Sequence, residues 1–369
     1  MNTTLTTRAG IGTARLERLR DKIREHGWAG VLVTDLVDIR YLSGLDSSNA
    51  ALLITLDSAV VITDFRYVSA ASSLGSAFTV RQVNQALYHE LGQLLGEVAG
   101  SGAIAYSPSA MSHRAFLQLT EGLASDLTLR AVEGAVGDLR MVKEAAEIAA
   151  VERASSLLTD AYGMVATLGL AGRSEREVAW LIERFLREAG ASALSFDLIV
   201  AGGEHGSLPH HHPSDDPIPN DTLVTVDIGC VVDGYCSDCT RTFPVGSPSN
   251  ELRDIYDITL RAQLASLDAI RSGVTGRDVD AIARDIITAA GHGDHFGHGL
   301  GHGVGLQVHE GPRLSRASED TLDAGMLVTV EPGIYVPGLG GVRIEDLVVV
   351  TSDGYRSLTT YPKEYTPVS

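Results

Sequence analysis

The stretch LVTVDIG, Leu223 to Gly229, returns as LVTVEPG from Leu327 to Gly333, 104 positions later, with an acid held at the same place. A core strand has no need of a carboxylate, so an apolar run that ends twice in an acid marks two related pieces of chain with a shared task. The similarity extends upstream. Ser174-Glu175-Arg176-Glu177-Val178 opens a helical pattern that closes at Ala189-Gly190, and Thr275-Gly276-Arg277-Asp278-Val279 opens another that closes at Ala290-Gly291, an offset of 101. Both starts set Ser or Thr three residues before an acid, the arrangement of a capping box. A helix–helix–strand–strand unit used twice is the expected architecture of this part of the chain.

The first acid lies in VDIGCVVDGYCSDCTRTFPV (226–245), where Asp233-Gly234 is a strong two-residue hairpin signal. If that turn sets the register, Val232 faces Tyr235, Asp227 faces Thr240 and Asp238 faces Gly229. Side chains alternate across a strand, so Asp227 and Asp238 then share one face as diagonal neighbours. Two carboxylates so close in a core hairpin repel each other and lose hydration, and a divalent cation between them removes both penalties. A solvent-facing hairpin with harmless acids is the competing reading, and the duplicated acid argues against it. The second half offers Glu331 and, in the same segment, Glu345, with Pro337-Gly338-Leu339-Gly340-Gly341 to reverse the chain between them. Loop length leaves this register open, and either Glu345 or its neighbour Asp346 can face inward.

HFGHGLGHGVGLQVHEGP (295–312) carries His295, His298, His302 and His309, with interleaved glycines that let imidazoles crowd around a small centre. LPHHHPSDD (208–216) adds His210, His211 and His212, a run that by itself reads as a polar loop. One or two imidazoles with four carboxylates form a mostly oxygen-donor site, which favours manganese or cobalt over structural zinc. Four acids carry enough charge for two divalent ions, and ions about 3.5–4 Å apart activate a shared water.

At 369 residues the chain is too long for one ordinary core, and two domains are expected. The first third alternates helices and strands: Leu16, Leu19 and Ile23 give helical spacing, AGVLVTD (29–35) reads as a strand, and ALLITLDSAVVITD (51–64) as two strands around Asp57-Ser58. Further strands are expected over 78–83, 103–108 and 127–132, with helices near 89–99 and 112–124, and the boundary falls near 133–143. The net charge of −18 argues against nucleic acid or an anionic membrane as partner. No stretch suits a membrane span, and the start lacks the apolar core of a signal peptide. Cys230, Cys236 and Cys239 have no second pair to complete a zinc site and are expected as reduced thiols, in keeping with a cytoplasmic setting.

These residues resemble the pita-bread metallopeptidases, in the Xaa-Pro aminopeptidase and prolidase branch, over nearly the whole chain. DIRYLSGLDSSNAALLI (38–54) looks like that family's creatinase-like amino-terminal domain, and LRMVKEAAEIAAVERA like the entry into its catalytic domain. VDIGCVVDGYCSDCTRTF, GHGVGLQVHE, EPGIY and GVRIED look like its metal motifs. The resemblance implies an α/β creatinase-like domain over 1–135 and an α+β pita-bread catalytic domain with internal pseudo-twofold duplication over 140–369. It implies two divalent ions, manganese first and cobalt or zinc next. Asp227 would hold one, His302 and Glu331 the other, and Asp238 with Glu345 would bridge them. By the same analogy His210, His298, His309 and Arg343 line the substrate cleft, with Glu331, His210 and His309 catalytic. The implied reaction is hydrolysis of the bond between a first residue and proline in a di- or oligopeptide, by a homodimer or larger homo-oligomer whose amino-terminal domain limits substrate length. Glu204 and His205 depart from the pattern, and His211 and His212 are not needed by it. A metal-free creatinase-type hydrolase or an inactive peptide-binding relative would have replaced metal ligands. A methionine aminopeptidase would lack the first 130 residues.

Overall fold

In a computed structural model that describes residues 3–84 and 86–368, with side chains from Thr13 onward, the chain divides into two compact units, Met1–Arg140 and Met141–Ser369. The first is built on a six-stranded mixed sheet whose spatial order runs Thr79–Gln82, Ala59–Thr63, Ala50–Ile54, Gly30–Val33, Gly102–Tyr106, Leu127–Ala131. Leu16, Leu19 and Ile23 are buried along one stripe of the helix Thr3–His26, as their spacing requires. The strands on either side of Asp57-Ser58 pair antiparallel, Ile54 against Ala59. The helices Leu87–Ala99 and His113–Glu121 contribute Leu91, Leu95 and Leu119 to this unit's core.

The second unit contains the repeat. Helices Ala145–Ala166 and Glu175–Glu188 pack on a three-stranded sheet ordered Cys239–Val245, Thr222–Ile228, Ile199–Gly202. Helices Asn250–Ala269 and Gly276–Ala289 pack in the same way on a five-stranded sheet through Leu327–Val330 and Asp346–Val350. Val178, Ile182 and Leu186 fill the first core, and Val279, Ala283 and Ile287, each 101 positions on, fill the second. Val224 and Val226 correspond likewise to Val328 and Val330. The halves meet where the strand Cys239–Val245 runs beside residues 343–345: the Glu345 N–H donates to the Thr240 carbonyl at 3.1 Å, and Thr242 Oγ1 donates to the Arg343 carbonyl at 2.9 Å. Thr240, which pairs with Asp227 across its own hairpin, thereby stands beside Glu345.

The helix starts need one correction. Ser174 and Thr275 each accept from the N–H three residues on, of Glu177 and Asp278, but these are hydroxyl caps alone. The reciprocal box belongs to Glu144 and Glu147 at the head of Ala145–Ala166. No described helix is long and apolar enough to cross a membrane.

Candidate metal centre

Asp233 and Gly234 adopt φ of 53° and 86°, the left-handed pair a two-residue hairpin turn demands. The register follows, with Val232 opposite Tyr235 and Asp227 opposite Thr240. Val224, Val226 and Ile228 enter the core beneath the helices, so Asp227 is turned to the other face, where Asp238 joins it. Glu345 completes the group: one carboxylate oxygen of each of Asp227, Asp238 and Glu345 lies within 4.8 Å of the others, and all three are buried. Alternation decides what loop length left open. Glu345 faces the cluster and accepts from Thr240 Oγ1 at 2.8 Å. Asp346 faces away, paired with Arg241 Nη2 at 2.7 Å and with Lys363, and accepts from Gln263 Nε2 at 3.0 Å.

His302 stands in the short strand Gly301–Gly303, where a Cβ on either glycine would strike a neighbouring carbonyl, of Thr329 or of Gly311. Glycine is thus what lets the imidazole approach. Its Nδ1 lies 3.1 Å from the Gly303 carbonyl, which can only accept, so Nδ1 carries the hydrogen. Nε2 is then aimed at Glu331 Oε1, 3.2 Å away, and at Asp238 Oδ2, 3.6 Å away. A lone pair facing two carboxylates is stable only with a cation, proton or metal, between them. His309, itself exposed, sets its ring edge-on to His302 with centroids 4.4 Å apart.

Electrostatics say the same. Burial raises the Asp238 carboxyl well above the usual range, and Glu345 and Asp227 raise it further. Glu345 is raised by burial first and then by Glu331 and Asp227. Asp227 is raised by burial but opposed by Arg343, whose Nη2 donates to its Oδ2 at 2.7 Å. Glu331 falls to about 2, because its bonds and charges from His302, His298 and Arg343 outweigh burial. Asp227 Oδ1 and Glu345 Oε1 are buried without a hydrogen-bond partner. Such oxygens are costly unless a cation completes them, and the oxygen-rich donor set fits a divalent metal.

Arg343 reaches further, with Nη1 donating to the Tyr335 hydroxyl at 2.9 Å and Nε to Thr240 Oγ1 at 3.1 Å. His298 Nδ1 donates to the Gly299 carbonyl at 2.7 Å, which leaves Nε2 to accept from Tyr335 at 2.8 Å. One chain of bonds thus runs Asp227–Arg343–Tyr335–His298. Thr240 and Tyr335 were missed as functional residues in the sequence. The signal for Thr240 was available, since the register set it opposite Asp227. Tyr335 lay in the quoted EPGIY motif without an assigned partner. The remaining histidines separate. His210 is exposed beside this group, whereas His295 turns to His292, with Nδ1 atoms 3.1 Å apart. His205 and His211 converge on Glu175, and His212 is exposed. Cys230, Cys236 and Cys239 are buried free thiols.

A duplicated α+β unit with buried acids and an imidazole at its midline offers a centre that could hold a divalent cation. The chain belongs to metallopeptidase family M24, whose profile matches residues 140–352, and the creatinase/prolidase N-terminal domain matches residues 15–142. It is therefore a peptidase of the pita-bread fold preceded by a creatinase-type domain. An uncharacterized peptidase of Bacillus subtilis is 40% identical over 95% of this chain and 99% of its own length. The solved Xaa-Pro dipeptidase from Bacillus anthracis is 38% identical with a TM-score of 0.92, covering 97% of this chain and 100% of that one. The X-Pro aminopeptidase from Thermotoga maritima is 34% identical with a TM-score of 0.86, covering 96% and 99%.

Proposed function

We propose that this chain hydrolyses the peptide bond between an N-terminal residue and a following proline, using two divalent ions held by Asp227, Asp238, His302, Glu331 and Glu345. The observation that carries the reading is the convergence of these donors, two of whose buried oxygens lack any other partner. Relatives named Xaa-Pro dipeptidase and X-Pro aminopeptidase point to the substrate class. By the family resemblance, Asp227, Asp238, His302, Glu331 and Glu345 would together hold the two ions. The oxygen-rich set favours manganese, with cobalt or zinc as substitutes. When bound, the ions supply Lewis acidity and a competent nucleophile at neutral pH.

The chain's own residues do the rest. The amide nitrogen of an Xaa-Pro bond carries no hydrogen, so its departure as an imino group needs a proton delivered. Glu331 orients the attacking water and carries that proton to the leaving nitrogen. His309 and His210 donate to the carbonyl oxygen as its charge grows, and His298 and Arg343 line the cleft. Burial lowers the proton affinity of His298, and partial burial of the His309 ring together with His302 lowers that of His309. The reading extends to a cytoplasmic setting, supported by the free thiols, and to a homo-oligomer, supported by the family resemblance. The test is turnover of an Xaa-Pro dipeptide and an Xaa-Pro-Xaa tripeptide by chelated protein and by protein restored with manganese. Activity that returns with metal supports the reading, and the faster substrate tells a dipeptidase from an aminopeptidase. Full activity in the chelated protein refutes it.

A further inference from the structure

Glu175, the first residue of the helix Glu175–Glu188, lies outside the donor set yet is only 1% exposed. Its Oε1 accepts from the Gly202 N–H and from His205 Nδ1, both at 2.9 Å. Its Oε2 accepts from His211 Nε2 at 2.7 Å, from the Ser214 N–H at 3.0 Å and from Ser214 Oγ at 2.8 Å. The two imidazoles stack with centroids 4.4 Å apart. Burial alone would raise this carboxyl, but the bonds from Gly202, His211, Ser214 and His205 outweigh it and bring it to about 2. The group is therefore an anion at any working pH, and a carboxylate with both oxygens saturated by N–H and O–H donors is a structural hub rather than an open ligand.

All five donors come from one segment, Gly202 to Ser214, and His210 sits inside it. Its neighbour on one side, Pro209, gives its carbonyl to Arg343 Nη1 at 3.3 Å, and Arg343 also grips Asp227. Its neighbour on the other side, His211, is tied to Glu175. The start of the segment is pressed on the strand that carries Arg343, since a Cβ at Gly206 would meet the Gly341 nitrogen at 2.9 Å. The His210 ring itself is exposed, and it lies near enough to His298 and His309 to act electrostatically on both. An exposed histidine on a loop loses rotational and backbone freedom each time it meets a ligand, unless its flanks are already fixed.

We propose that Glu175 is a positioning residue: by holding His205, His211 and Ser214 it fixes the loop so that His210 is aimed at the substrate beside His298 and His309. This rests on reading His210 as a substrate-binding residue. The test is a cycle of wild type, Glu175→Gln, His210→Ala and the double variant, each loaded with manganese and assayed for kcat and KM on an Xaa-Pro dipeptide. Bound manganese and melting temperature are measured alongside. The glutamine amide turns N–H groups toward donors, so the loop loses its anchor while the helix stays. Each single variant is expected to lower kcat/KM by about 10–100-fold, as supporting residues around metal sites do. The double variant is expected to be no worse than His210→Ala, with manganese content unchanged. If Glu175→Gln melts too early to assay, His211→Gln removes one anchor and is expected to show the same lack of additivity. Losses that multiply, or wild-type kcat/KM in a folded Glu175→Gln enzyme, overturn the proposal. A fall in bound manganese in Glu175→Gln makes the cluster a metal site and also overturns it. Wild-type kinetics in His210→Ala refutes the substrate reading itself, and the proposal falls with it.

Discussion

Asp238 concentrates the electrostatic strain of the centre. Burial and then Glu345 and Asp227 raise its carboxyl well above its usual range, so in metal-free protein the folded state holds a proton more tightly than the unfolded one. A raised carboxyl adds no stability at neutral pH. Metal-free stability instead falls as pH rises from the ordinary carboxylate value, about 4, through the raised folded value. Asp238→Asn removes the charge and keeps the volume. In chelated protein at pH 7 the variant is expected to melt above wild type, with the gap closing near pH 4, and to show no stabilisation by manganese and no turnover. A metal-free variant that melts below wild type at pH 7 would show that the acids are not in repulsion. Asp346 has the opposite sign. Burial opposes it, but Arg241 and Lys363 bring it down to about 2, so its stability is present above the unfolded value and is lost as pH falls toward 2. The linked amount is on the order of 2 kcal/mol. Asp346→Asn leaves Arg241 buried without its anion, which is expected to cost about 3–5 kcal/mol in a urea titration while leaving the metal donors intact.

At the scale of elements, the hairpin 226–245 does the positioning, and its turn is the weak point. Gly234 sits at φ 86°, where a Cβ is penalised by about 1–2 kcal/mol. Gly234→Ala is expected to lower stability by that amount and to weaken manganese binding, since any slip in register moves Asp238 off the face it shares with Asp227. Unchanged metal affinity in a destabilised Gly234→Ala protein would mean that the turn does not set the site. This hairpin was legible in the sequence because Asp-Gly fixes both the loop length and the twist, and period-two alternation then fixes the faces. The helix pair was legible from its caps and buried stripe. The second hairpin was not, because Pro337-Gly338-Leu339-Gly340-Gly341 admits several turns, and only the pairing of Val330 with Asp346 sets which acid faces in. Glu175, His205 and His211 were illegible for another reason. Their meeting depends on a loop folding back over a helix start 30 and 36 residues away, and no periodicity encodes that.

At the scale of the molecule, the repeat explains why the centre exists where it does. Each half packs helices on a sheet of its own, and a smaller shared cluster of Val151 and Cys236 with Leu327, Leu347 and Val349 joins the two. The line where the halves meet is also where carboxylates accumulate: Asp227 and Asp238 from the first, Glu331 and Glu345 with His302 from the second. A cation there bonds across the line, and its binding energy becomes stability shared by both halves. The unit Met1–Arg140 supplies none of the donors and has a separate core around Leu32, Ile62, Leu91 and Leu119. Hydrogen exchange read peptide by peptide, with chelator and with manganese, distinguishes shared from local stabilisation. At a metal concentration about 100-fold above its dissociation constant the stabilisation is about 2.7 kcal/mol, or roughly a 100-fold slowing of the most protected amides. That slowing is expected together in 222–245 and in 300–350, with the sheet strands between 30 and 131 unaffected. Protection confined to one half would mean that the acids of the other do not reach the ion, and the twofold arrangement would then be a relic of duplication rather than the basis of the site.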